Sequence, residues 1–188
     1  MESKSIRRRW TYAEFARLPS DGSERHEIID GKLYVTPSPS SGHQRVVMRL
    51  LARLHPFVQE HGLGEVFPGP LDILFAEGDY VEPDVLFVGS RKAGLISDRG
   101  VEGPPDLIIE VVSPSTSARD RGIKLERYRH YGVPEYWVVD AEAATVEVWR
   151  FADGADEADA HVSDDLLRWA PADGAATLEI DVGALFRA

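Results

Sequence analysis

The run Leu107-Ile108-Ile109-Glu110-Val111-Val112 constrains this chain more than any other segment, because five of its six residues are apolar and the sixth is a carboxylate. A strand so apolar is one whose two faces are both covered. Glu110 is thereby carried out of water, where an unpaired charge costs on the order of several kcal/mol, so it requires a cation, a metal ion or a proton. Two neighbours can answer that need. Upstream, Pro83-Asp84 opens a second strand-like run, Val85-Leu86-Phe87-Val88. Downstream, Ser113-Pro114-Ser115-Thr116 ends the first strand and leads into a helical segment that carries Lys124.

Composition bounds the rest. At 188 residues, with 43% hydrophobic and 28% charged, the chain suits one well-buried globular core and does not require two. No apolar stretch approaches the ~18 residues of a spanning helix, and Met1 to Trp10 carries Arg7-Arg8-Arg9 without an apolar segment behind it. A cytoplasmic protein with no membrane partner is the expectation. Cysteine is absent, so any metal is held by oxygen or imidazole. The net charge of −11 argues against a broadly basic nucleic-acid platform, but residues 152–188, with nine acids and two arginines, contribute −7 of it. Arg119, Arg121, Lys124, Arg127, Arg129 and His130 crowd one segment against only Asp120 and Glu126. That segment is either a phosphate-facing surface or a solvated helix face.

Along the chain, Thr11-Tyr12-Ala13-Glu14 has capping-box spacing and predicts a short helix running to Leu18 before Pro19. Asp30-Gly31, between Glu27-Ile28-Ile29 and Lys32-Leu33-Tyr34-Val35, is the sequence of a tight hairpin turn. From His43, Val46, Val47, Leu50, Leu51, Leu54, Phe57 and Val58 recur at three- and four-residue steps, so a long amphipathic helix ends near Gly62, with Pro56 a candidate kink. Strands are expected at 64–67, 71–75, 80–88, 107–112, 135–139 and 145–151, with a helix over 117–131 stopped by Gly132. That helix permits a crossover between parallel neighbours. The succession predicts an α/β (mixed α+β) domain, a central mixed sheet flanked by helices. Residues 152–165 read as a mobile loop, and Leu178, Ile180 and Val182 as a last short strand followed by a terminal turn.

Two acids and a lysine on adjacent elements suggest a definite chemistry. Phosphodiester hydrolysis needs the charge of the transition state neutralised, a water deprotonated and the leaving oxygen stabilised. Asp84 and Glu110 holding Mg2+ or Mn2+ supply much of this, with the peptide carbonyl of Val111 as a third ligand, and an ammonium stabilises the remaining charge. Lys124, Tyr128 and Tyr131 share one helix face, so Lys124 heads an aromatic, inward stripe. The bland alternatives are that Lys124 snorkels to water or merely pairs with Glu110. Among weaker signals, His43 is a ligand, a proton shuttle or a helix-capping histidine, and Glu27 either joins the site or pairs with Arg25 or Lys32. Asp120 caps its helix or orients Lys124, Asp72 is read as exposed, and Tyr136 and Trp137 as core. No phosphate-cradling Gly-rich loop and no serine-nucleophile elbow occurs.

The segments Glu82-Pro83-Asp84-Val85, Pro105-Asp106 through Ser115-Thr116, Asp120, Lys124, Tyr128 and Gly132-Val133-Pro134-Glu135-Tyr136-Trp137-Val138-Val139-Asp140 resemble the Uma family of restriction-endonuclease-like proteins, within the PD-(D/E)XK nuclease superfamily. The resemblance covers about Trp10 to Phe151 and takes in Glu27, Gly31 and His43. It implies a restriction-endonuclease-like fold over 1–151, with 152–188 an acidic C-terminal extension packing on or trailing the same domain. It also implies a Mg2+- or Mn2+-dependent endonuclease acting on DNA: Asp84 and Glu110 as metal ligands, Lys124 as the catalytic lysine, and Glu27 or His43 as further contributors. The superfamily pattern puts lysine two residues after the second acid, where this chain has Val112, so Lys124 takes over from the helix. A homodimer is expected, since cutting both strands with one small site calls for two copies. The rival readings are a catalytically inactive nuclease-fold module for nucleic-acid binding or assembly, and a metal-free structural domain.

Overall fold

The structure is a computed structural model that describes residues 10–18, 24–76, 78–154, 156–171 and 176–187. Arg7-Arg8-Arg9 and Pro19 lie outside the described residues. The N-terminal half runs α1 (Tyr12–Phe15), β1 (Glu24–Ile29), β2 (Lys32–Pro37), α2 (Ser41–Glu60), β3 (Gly64–Pro68), β4 (Ile73–Ala76), β5 (Asp79–Val81), β6 (Val85–Gly89), β7 (Ile96–Ser97) and β8 (Gly100–Val101). After β9 (Leu107–Val112), a helical stretch comprises α3 (Ser117–Arg119), a π-turn (Asp120–Lys124) and α4 (Leu125–His130). Then follow β10 (Glu135–Asp140), β11 (Thr145–Arg150), β12 (Asp159–His161), β13 (Leu166–Trp169), β14 (Leu178–Asp181) and α5 (Gly183–Phe186).

The mixed α+β fold holds, with two large sheets where one was expected. One sheet has the order β2-β1-β5-β4-β8-β7, the other β12-β11-β10-β9-β6-β3. The difference arises at Glu82-Pro83-Asp84. Residues 80–88 read as one strand, but proline cannot donate to a ladder, and the chain leaves the first sheet after Val81 and enters the second at Val85. Gly69 makes room for this passage: its amide donates to the Asp84 carbonyl at 2.8 Å, and a Cβ there would stand 2.5 Å from the Pro83 carbonyl oxygen. β9 and β10 are parallel and joined through the helical stretch, as the spacing required.

The second sheet is buried on both faces, and its strands sort their side chains by the period of two. Val85, Phe87, Leu107, Ile109 and Val111 pack with Val46, Leu50, Leu54 and Val58 of α2. Leu86, Val88, Ile108 and Val112 pack on the opposite face, with Ile29, Ile73 and Val81 of the first sheet and Tyr128 of α4. The capping box of α1 forms as read, with Glu14 reaching the Thr11 amide at 3.0 Å, although the helix closes at Phe15 and gives way to a turn. α2 continues through Pro56.

The last strand forms as expected at β14, while residues 159–161, read as part of a mobile loop, form β12. β12 adds to the edge of the second sheet beside β11, while β13 and β14 form a hairpin. Leu167, Trp169, Ile180, Val182 and Leu185 join the same core as α2, and Trp169 meets the rings of Phe87 (5.2 Å, 90°) and Trp137 (6.3 Å, 85°) edge-on. The acidic composition masks this, because the few apolar residues alternate and face inward while the charges face water. Trp169→Ala is expected to cost about 3–5 kcal/mol of stability in urea denaturation. A loss below about 1 kcal/mol would show that the tail is not part of the core.

Candidate active site

The alternation that builds the core also builds the site. On β9, Glu110 lies between Ile108 and Val112 and so shares their face; next to β6, Asp84 is in phase with Leu86 and Val88. β6 and β9 pair antiparallel with Val85 opposite Ile109, which sets Asp84 beside Glu110. From the facing sheet, β1 sends Arg25 and Glu27 inward in phase with Ile29, while Ile28 packs outward with Phe15 and Tyr80. The helical stretch closes the cleft with Arg119, Asp120 and Lys124, and the π-turn holds both Asp120 and Lys124 buried. The resulting cleft has a volume of about 250 Å³, and Thr36, Ser40, His43, Ser113 and Thr116 also line it.

The contacts are short and charged. Lys124 Nζ lies 2.6 Å from Glu27 Oε1, 2.8 Å from Glu110 Oε1 and 3.7 Å from Asp120 Oδ1. Glu110 Oε1 also accepts from the Tyr128 hydroxyl at 2.8 Å. Asp84 Oδ2 accepts from the Val111 amide at 2.8 Å and meets His43 Nε2 at 2.9 Å, while Asp84 Oδ1 accepts from Arg25 Nη1 at 2.6 Å. Arg119 Nη1 donates to Thr36 Oγ1 at 2.9 Å, and its Nη2 stands 3.5 Å from Glu27 Oε2.

Five acids, Glu27, Glu82, Asp84, Glu110 and Asp120, thus line the cleft with three permanent cations, Arg25, Arg119 and Lys124. Burial pushes the Glu110 carboxyl up to about 8, against the pull of Lys124, and the charges of Asp120, Asp84 and Glu27 push it the same way. For Lys124 the balance is reversed: burial would lower it, but Glu110, Glu27 and Asp120 together hold the ammonium well above its usual value. Burial also raises Asp84, yet His43 and Arg25 outweigh it and hold that carboxyl below the ordinary range. The donor set fits a hard divalent cation. Asp84 and Glu110 offer oxygen, acids outnumber the permanent cations of the cleft, and Asp120 Oδ1 is buried without a hydrogen bond. Among the described residues no three His, Asp or Glu side chains form a ready cage. Mg2+ seldom uses one, taking one or two carboxylates and keeping several waters.

Asp84, Glu110, Lys124, Glu27 and His43 therefore meet in one cleft, and Val111 lines it while lending its amide to Asp84. Several minor expectations change. Glu27 pairs with Lys124 and Arg119, not with Arg25 or Lys32, because the strand phase turns it inward. Asp120 lies inside the helical stretch and does not cap it. Asp72 is half-buried beside Glu82 in a neighbouring cleft. The basic segment does not act as one face: Arg121 pairs with Glu147 and Asp140, Arg127 with Asp30, and Arg129 with Asp156, while Arg119 alone of these arginines lines the cleft. His43 is not the cap, which is Ser40, to whose side chain the His43 amide donates; its ring meets Asp84. Tyr136 and Trp137 are fully buried in the core.

Arg25 and Arg119 were missed as site residues. Arg25 carried a signal, since counting back by twos from Ile29 passes through Glu27 to Arg25; Arg119 was read only as one member of a basic segment, because the turn before it sets its direction.

A mixed sheet that sets Asp84 beside Glu110, the latter paired with a buried lysine, fits a nuclease-like class of fold. The chain belongs to the Uma2 family, described as "Putative restriction endonuclease", whose profile matches residues 12–183. That match runs well past Phe151 into the tail, in keeping with the tail's place in the core. Two uncharacterized proteins of Synechocystis sp. are similar to it, one 27% identical over 73% of this chain and 78% of its own length. The other is 29% identical over 76% and 75%. A crystal structure titled as a putative nuclease belonging to DUF820, from Anabaena variabilis, shares the fold, with a TM-score of 0.74 and 22% identity over 94% of this chain and 97% of that one. Among the described residues no helix is long and apolar enough to cross a membrane.

The position of Glu110 makes stability depend on pH. Its carboxyl rises from 4.5 to about 8 on folding, so its contribution is full below pH 4.5 and is lost as pH rises through about 8. In metal-free buffer, wild-type stability is expected to fall across that window relative to Glu110→Gln, whose amide does not titrate. Parallel urea-denaturation profiles for the two proteins would show that Glu110 stays ionised throughout.

Proposed function

We propose that this protein is a divalent-metal-dependent endonuclease that hydrolyses phosphodiester bonds of DNA. The observation that carries the reading is the convergence of Lys124 Nζ on Glu110 Oε1 at 2.8 Å, with Asp84 on the adjoining strand in the same cleft. Family membership and the nuclease fold support it. Asp84, Glu110 and the Val111 carbonyl would hold Mg2+ or Mn2+, which when bound neutralises phosphate charge and makes water more acidic.

The chain's own residues do the rest. Lys124, kept charged by Glu27, presents its ammonium to the oxygen on which negative charge develops. Tyr128 and Lys124 together fix the rotamer of Glu110. The Val111 amide and His43 hold Asp84 in place from two directions. Arg119, anchored by Thr36, adds positive charge at the wall where a phosphate would lie. The lysine reaches the site from the helix, which leaves the strand position at Val112 free to fill the core. One cleft of this size meets one strand, so cleavage of a duplex on both strands is assigned to a homodimer.

Glu110→Ala and Lys124→Met are each expected to lower Mg2+- or Mn2+-dependent plasmid cleavage at least about 100-fold, with DNA retention largely kept. Cleavage equal to wild type by either variant would remove the proposal. Salt-sensitive DNA retention by wild type, without nicking in either metal, would assign the chain instead to a catalytically inactive binding module.

A further inference from the structure

Both oxygens of Asp84 are engaged by cationic or ionisable groups: Arg25 Nη1 sits on Oδ1 at 2.6 Å and His43 Nε2 on Oδ2 at 2.9 Å. These two partners are not equivalent. A neutral imidazole can remain beside a metal ion or ligate it, whereas a guanidinium cannot lose its proton and has no lone pair to offer. Arg25 and a divalent cation therefore compete for the same carboxylate. Asp84 cannot be the one to yield, because it is almost fully buried and tied to the Val111 amide. Arg25 can, being about one-fifth exposed and on a long, flexible side chain.

The surroundings supply a second seat. Arg25 lines two adjacent clefts, the one already described and a neighbour bounded by Glu24, Asp72 and Glu82. Asp72 and Glu82 both line that cleft, half-buried, and Glu82 already attracts the Arg25 guanidinium. Their carboxyl groups are alternative acceptors beside the same arginine.

We propose that Arg25 is an internal counter-ion for Asp84 that holds the metal site in its charge-balanced form and shifts toward the Asp72–Glu82 pair when a divalent cation binds. This inference rests on the metal role assigned to Asp84 above. Arg25 is thus a positioning residue: it keeps Asp84 oriented before loading, and its departure opens Oδ1. The arrangement makes metal affinity a difference between two interactions of one carboxylate, so removing the arginine strengthens binding where removal of a ligand weakens it.

Isothermal calorimetry of the full chain with Mn2+ alone tests this without reference to cleavage. Arg25→Gln, which keeps hydrogen bonding and loses the charge, is expected to bind Mn2+ roughly tenfold more tightly than wild type. Arg25→Lys is expected to stay near wild type. Arg119→Gln removes an equal charge from the same cleft without touching Asp84, and is expected to tighten binding by a smaller factor. Glu82→Gln, which weakens the second seat, is expected to bind Mn2+ less tightly, and it serves as the test if Arg25→Gln does not fold. Equal or weaker binding by a folded Arg25→Gln overturns the inference and leaves the metal reading standing, as does unchanged affinity in Glu82→Gln or equal tightening by Arg119→Gln. Absence of Mn2+ binding in wild type and Arg25→Gln alike overturns both.

Discussion

The burial of Lys124 among Glu27, Glu110 and Asp120 is the interaction on which the rest of the structure depends. An ammonium and three carboxylates removed from water are tolerated only while each compensates another, and stripping away one partner leaves a buried charge exposed to the full desolvation cost. The cluster draws its members from β1, β9 and the helical stretch after β9. It therefore ties the two sheets and the helix together at one point. The same point is where the chemistry is proposed, because clustered carboxyl oxygens beside a fixed cation suit a divalent ion and a phosphate.

Around that point the architecture follows from two local decisions. Pro83 ends pairing in the first sheet, and the chain crosses to the second at Asp84, so a carboxylate stands where the sheets meet. The strict alternation of β6, β9 and β1 then assigns whole sets of side chains to one face or the other. Apolar residues on the outer face of the second sheet meet α2 and the C-terminal hairpin; those on the inner face meet the first sheet, and the charged residues occupy the open end of that inner layer. The π-turn over Asp120–Lys124 is a local irregularity with a role, since it directs both Asp120 and Lys124 into the cleft.

Much of this was legible in the residues. The apolar run covered on both faces at 107–112, the capping box at Thr11, the long amphipathic helix and the inward stripe of Lys124 and Tyr128 each express a local preference that the tertiary structure did not override. Asp84, Glu110 and Lys124 could be named because a charge in an apolar run is anomalous wherever the chain goes. In the tail only the last strand was legible; β12 and β13 were not, since apolar residues there are sparse and Trp169 gains its value from contacts with Phe87 and Trp137, more than 30 residues away in sequence. The unbroken strand over 80–88 was misread because proline breaks a ladder only when both sides of it are paired, and pairing is not a local property.

The sequence by itself determined which groups had to be compensated, because the cost of burying a carboxylate depends on the apolar residues on either side of it. Only the tertiary structure decided which cation answers which acid. Arg25 goes to Asp84, Arg119 and Lys124 share Glu27, and Arg121, Arg127 and Arg129 leave for acids elsewhere. Pairing of charges is settled by distances of a few ångströms between elements far apart in the chain, and those distances come into being when the sheets and the helix pack.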